Sequence, residues 1–168
     1  RFDVSTAQSG AEALALFEDG NPTVAIRQVQ TLLRLNPDDN HGCRSLLANH
    51  YLLQGQDAAM IELRQRYADD ESNPELVYGH ALALLRLGHP EQADAALKSA
   101  RQALPEAARA LLARSYKAPR PDSIGITVGG REQAAMYREA MLEAWSTTPG
   151  ALDRLRAAAP GKARRTRR

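Results

Sequence analysis

The chain has 168 residues, 43% hydrophobic, 25% charged and only 5% aromatic. That balance excludes wholesale disorder and asks for a core built from Leu, Ala and Val. The net charge of +2 is uneven, because Lys162, Arg164, Arg165, Arg167 and Arg168 crowd the C-terminus and leave a mildly acidic body, which disfavours a nucleic-acid-binding body.

Residues 1–10 read as an N-terminal extension. From there to residue 116 the chain carries a repeat. Gly20, Gly55 and Gly88 stand in turn-like settings, at the spacing of roughly 34 residues typical of helix–turn–helix arrays. Other positions keep the register. Seven residues before the glycines stand Ala13, Ala48 and Ala81, and four before stand Leu16, Tyr51 and Leu84. Five after stand Ala25, Met60 and Ala93, and seventeen after stand Pro37, Ser72 and Pro105. Small residues let helices approach, and proline ends them. The middle unit is the weakest, with Met60 for a small residue, Arg64 at an apolar place and a short second helix.

Capping chemistry agrees. Asn21-Pro22, Asn73-Pro74 and Thr148-Pro149 each set a capping side chain before a proline, and Asp57 is placed to cap the helix after Gly55. Asp38, Asp39 and Asn40 put negative charge where a helix N-terminus favours it. Apolar residues recur at helical spacing in Ala25, Val29, Leu32 and Leu33, and again in Val77, Ala81, Leu84 and Leu85.

After Pro105 the repeat fails. Ala107–Tyr116 predicts one more helix, and the Pro/Gly-rich stretch 117–130 a loop, with Ile124–Val128 as extended packing rather than a strand. Gly129-Gly130 then opens a helix with the apolar face Ala134, Tyr137, Met141 and Trp145, and Pro149–Ala158 predicts a last helix. Residues 131–159 read as a helical cap over the final repeat, and 160–168 as a basic disordered tail.

These positions resemble the tetratricopeptide repeat family, best over Val77–Pro105. The run Asn36–Leu47, then Leu104–Leu112, Gly129–Tyr137 and Trp145–Leu152, is similar to the suppressor of tumorigenicity 7 family and its bacterial relatives, over roughly residues 36–156. The expected fold is all-α, a tetratricopeptide-like α-solenoid of about three helix pairs with a C-terminal helical cap. Eukaryotic members of the second family are thought of as membrane-associated. That attribute does not carry over, because no apolar run here approaches the ~18–20 residues of a spanning helix. Neither resemblance implies a catalytic residue.

Reactive groups are sparse. His41, His50, His80 and His89 with Cys43 show no zinc-type pairing, so no metal and no cofactor is expected. Cys43 lies among Leu46, Leu47 and Tyr51, where a thiol acts as a small hydrophobe. A single cysteine forbids an internal disulfide and fits a reducing, cytoplasmic setting. No signal peptide is legible, although the start at Arg1 rather than Met leaves room for an upstream segment. Gly129-Gly130 lacks the rest of a nucleotide loop and reads as a helix-entry turn. Asp69-Asp70-Glu71 reads as a solvated turn.

The architecture instead predicts a non-catalytic protein–protein interaction scaffold, with a partner peptide or protein in a concave groove. The register places Phe17, Ser45, Asn49, Leu52, Tyr78, Leu82 and Arg86 on that groove, along with Leu14 and Leu85. The basic set that clamps a terminal carboxylate in chaperone-binding relatives is missing. Two alternatives stand beside this reading. One is an anionic-surface binder (nucleic acid or lipid) working through the tail Lys162–Arg168, and the other an enzyme with a cryptic site.

Overall fold

The computed structural model describes residues 21–39, 42–117 and 127–158. Phe17, His41, residues 118–126 and the basic tail from 159 onward lie outside them. Among the described residues every regular element is an α-helix: α1 (Pro22–Leu35), α2 (Cys43–Leu53), α3 (Asp57–Arg66), α4 (Pro74–Arg86), α5 (Pro90–Ala103), α6 (Pro105–Leu112), α7 (Arg131–Thr147) and α8 (Ala151–Ala157). The fold is all-α, as the sequence predicts.

Each helix from α1 to α7 packs against its successor, and α2 also packs against α4. The two turn glycines that fall within the described residues do the work the register assigns them. Gly55 (φ 66°) and Gly88 (φ 81°) occupy the left-handed region, which glycine enters without a Cβ clash. Beyond them Gln56 N–H donates to the Tyr51 carbonyl at 2.7 Å and His89 N–H to the Leu84 carbonyl at 2.9 Å, so the last turns of α2 and α4 close identically.

The register alanines Ala48 and Ala81 are buried between helices. Met60, out of pattern as a large residue, is explained by its neighbour. A Cβ on Gly79 would stand 3.0 Å from Leu52 Cδ1 and 3.5 Å from Met60 Sδ. The glycine leaves the room that methionine fills. Arg64, polar at an apolar place, donates to the Tyr67 carbonyl at 2.5 Å and closes the end of α3.

The caps divide. Asn73 accepts from Leu76 N–H at 3.1 Å, and the Asp39 carboxylate accepts from Cys43 N–H at 2.7 Å and Arg44 N–H at 2.8 Å. Asn21 makes no such bond. Asp57 is the first residue of α3 and turns to Arg86 instead. Thr148 donates back to the Ala144 carbonyl at 2.8 Å, and the last helix starts at Ala151 rather than Pro149.

The largest departure concerns α7. It packs most extensively on α6, and also crosses α4 and α2. Its residues therefore cover the face that α2, α4 and α6 share, not merely the end of the array.

Candidate functional site

Ser45, Asn49 and Leu52 fall on one stripe of α2, and Tyr78, Leu82 and Arg86 on one stripe of α4, since residues three or four apart align on a helix. Both helices are crossed by α7. Tyr137, Met141 and Trp145 recur at helical spacing along α7, and all three are buried. Tyr78 is 0% exposed. Its ring stands 5.9 Å from Tyr137 and 6.4 Å, edge-on, from Trp145, the arrangement that aromatic quadrupoles favour. Trp145 Nε1–H donates to the Tyr137 hydroxyl at 3.0 Å, and the Tyr78 hydroxyl donates to the Leu104 carbonyl at 2.8 Å.

Leu52, Tyr78 and Leu82 are thus core residues rather than groove-lining ones, which corrects the expectation. The apolar stripe on α4 needs cover, and the chain supplies it at Tyr78 from its own α7, while Leu52 of α2 packs beside Gly79 of α4.

Arg86 is likewise committed. Its Nη1 donates to the Leu52 carbonyl at 2.8 Å, Nη2 to the Ala144 carbonyl at 3.2 Å and Nε to Thr148 Oγ1 at 2.9 Å. Asp57 lies 3.5 Å away. Burial raises the Asp57 carboxyl, and Arg86 draws it partly back. One guanidinium thereby fastens the C-terminal ends of α2 and α7 to α4. Arg138 donates to the carbonyls of Ala110 and Ala113 at the end of α6, and Arg101 to the Leu155 carbonyl at 2.6 Å. These cations close helix termini, where their charge also suits the dipole.

Ser45 and Asn49 remain half-exposed. Ser45 Oγ accepts from Asn73 Nδ2 at 2.7 Å. Asn49 Oδ1 is shielded from solvent and has no hydrogen-bond partner among the described residues. At the start of α4, half-buried Glu75 has its carboxyl raised by burial and, secondarily, by Asp70.

The other reactive groups settle into structural surroundings. Burial, then the neighbouring Asp39 carboxylate, raises the Cys43 thiol to about 11. Burial lowers His50, and it lowers His80 together with the charge of Arg64. Among the described residues no three His, Cys, Asp or Glu converge as a metal site. Gly129 N–H is taken by Gln133 Oε1 at 2.8 Å and Gly130 N–H by the Thr127 carbonyl at 2.9 Å, so this glycine pair is a helix-entry turn. Asp70 pairs with Arg44 at 3.2 Å and accepts from Ser72. No described helix is long and apolar enough to cross a membrane.

Sequence reasoning missed one surface feature, a cleft of about 800 Å³ between α1 and the end of α3. Its signal was present in Arg27 and Arg34, which lie seven apart on one face of α1, but their convergence with Arg66 is tertiary.

The family model for transcriptional repressor TCF25 matches residues 13–142, well over half of the chain, and the chain belongs to that family. This overturns the assignment to tetratricopeptide proteins and to relatives of the suppressor of tumorigenicity 7 family. Spacings of glycine, alanine and proline record how helices pair, and unrelated lineages that stack helices of one length share them. No curated protein and no solved structure matches the chain.

Proposed function

We propose that this member of the transcriptional repressor TCF25 family is a non-catalytic protein–protein interaction module. A partner polypeptide lies along the strip of α2 that α7 leaves open, with Asn49 as its anchor. The observation that supports the reading is the partly exposed Asn49, whose Oδ1 is turned inward without a partner among the described residues and meets a peptide N–H once the amide rotates outward. An unmade bond at such a site costs roughly 1–3 kcal/mol, and a peptide N–H donating to it recovers that cost. Ser45, one turn earlier on the same stripe, is held by Asn73 and offers a second polar contact. The family's description sits with a chain that contributes to repression by holding another protein. Cys43, a free buried thiol, supports work in a reducing compartment such as the cytoplasm.

The test is quantitative affinity capture at physiological salt with wild-type chain, Asn49→Ala and a form lacking residues 160–168. One defined polypeptide retained by the wild type and by the tail-deleted form, but lost with Asn49→Ala at unchanged helical content, supports the assignment. Equal retention by Asn49→Ala removes the strip as the site. Loss confined to the tail-deleted form transfers the function to the basic tail.

A further inference from the structure

We infer that the cleft between α1 and the end of α3 is a second docking site, separate from the Asn49 strip, and that its ligand is an acidic polypeptide segment carrying apolar side chains between its carboxylates. Arg27, Gln30, Thr31 and Arg34 follow one another at the spacings that align on a single face of α1. Arg66 and Tyr67 face them from the end of α3, and Leu33 and Pro37 add apolar surface to the lining. The cleft measures about 800 Å³, room for a short stretch of chain rather than a lone ion.

Among the described residues its charge is unspent. Arg27, Arg34 and Arg66 are exposed, and none pairs with a carboxylate among the described residues. Two nearby carboxylates, Asp39 and Asp70, are already committed. Asp39 accepts from Cys43 N–H and Arg44 N–H and faces the Arg44 side chain at 3.5 Å. Asp70 takes Arg44 at 3.2 Å and Ser72. Tyr67 is held as a wall, with the Arg44 guanidinium 5.1 Å from its ring centre and its hydroxyl reaching the Pro37 carbonyl at 3.4 Å. Gln30 is positioned by donating to the Tyr51 hydroxyl at 2.7 Å.

A purely local account explains two of the three arginines. Arg34 and Arg66 sit in the last turns of their helices, where positive charge suits the dipole. It does not explain Arg27, which lies in the second turn of α1 and lines the same cleft. Three guanidinium forks around an apolar lining suit two or three carboxylates spaced by apolar side chains. A nucleic-acid strand fits less well. Its phosphates need an extended basic track, and the turn beyond Tyr67 is Asp69-Asp70-Glu71, which repels them.

The probe is a fluorescein-labelled peptide of alternating Glu and Leu, with the alternating Gln and Leu peptide as control, followed by anisotropy on the purified chain. The Glu peptide binds, its affinity falls with added salt, and the control binds weakly. Each of Arg27→Gln, Arg34→Gln and Arg66→Gln weakens binding by up to about tenfold, the scale of one charge-assisted hydrogen bond. Circular dichroism is unchanged because all three side chains are exposed. Arg156→Gln, exposed on α8, and Asn49→Ala leave binding intact, which keeps this test independent of the Asn49 strip. Equal binding of the two peptides, insensitivity to all three arginine variants, or tighter binding of single-stranded DNA through the same arginines overturns the inference.

Discussion

Tyr78 separates a groove residue from a core residue by a measurable amount of stability. If Tyr78 lined an open groove, removing it would abolish partner capture and leave folding untouched. In the structure it is fully buried, its hydroxyl bonds the Leu104 carbonyl at 2.8 Å, and its ring meets Tyr137 and Trp145. Tyr78→Phe keeps the ring and deletes one buried hydrogen bond, at a cost of about 1–2 kcal/mol. Tyr78→Ala also empties the space between α4 and α7, and large aromatic truncations in cores cost about 3–5 kcal/mol. That is a substantial part of the roughly 5–15 kcal/mol that holds a typical domain folded. Urea unfolding followed by circular dichroism reads both, with the slope against urea checked for constancy. An unchanged midpoint for Tyr78→Ala would refute the burial of this face and return Tyr78 to the groove.

Arg86→Ala removes three hydrogen bonds and strands Asp57; we expect a loss of about 2–4 kcal/mol in urea unfolding, with non-additivity in a double-mutant cycle against Asp57→Ala. Glu75 has a folded-state pKa above its ordinary 4.5, so between those two pH values the folded state keeps a proton that the unfolded state has lost, and stability falls as pH rises through that window. Glu75→Gln is therefore stabilising at neutral pH, and the gain vanishes below pH 4.5, as thermal melts across that range would show. Cys43, buried and raised to about 11, resists iodoacetamide at pH 8 in the folded chain and reacts once urea unfolds it; fast labelling of native protein would contradict its placement.

Local chemistry was legible at most places where one residue decides one turn, Asn21 being an exception. Gly55, Gly88, Asn73 and Asp39 take the roles that their spacing and side chains announce, because turn closure and capping involve neighbours in sequence. Ala48 and Ala81 were legible for a related reason, since a repeated small residue marks a repeated close approach. The apolar stripe of Leu52, Tyr78 and Leu82 was legible as a stripe, but amphipathicity states only that a face needs cover. Tyr78 takes its cover from α7, far along the chain, and Arg86 finds Ala144 and Thr148 at a separation of about sixty residues. Thr148 and Asp57 failed as caps for the same reason, each being drawn into the Arg86 network instead. The arginines of the α1–α3 cleft were visible singly, but not as a set, because α1 and α3 meet only in the folded chain.

Trp145 offers the most direct test of the self-covered face, as the only tryptophan in the chain and a member of α7. Acrylamide and iodide quenching of its fluorescence should be measured in native protein and across urea unfolding. A Trp145 buried between α7 and α4 gives short-wavelength emission, strong protection from both quenchers, and loss of that protection in the same transition that removes the helical signal. Emission quenched like free indole while the helical signal is intact would show that α7 does not cover α4, and would contradict the account.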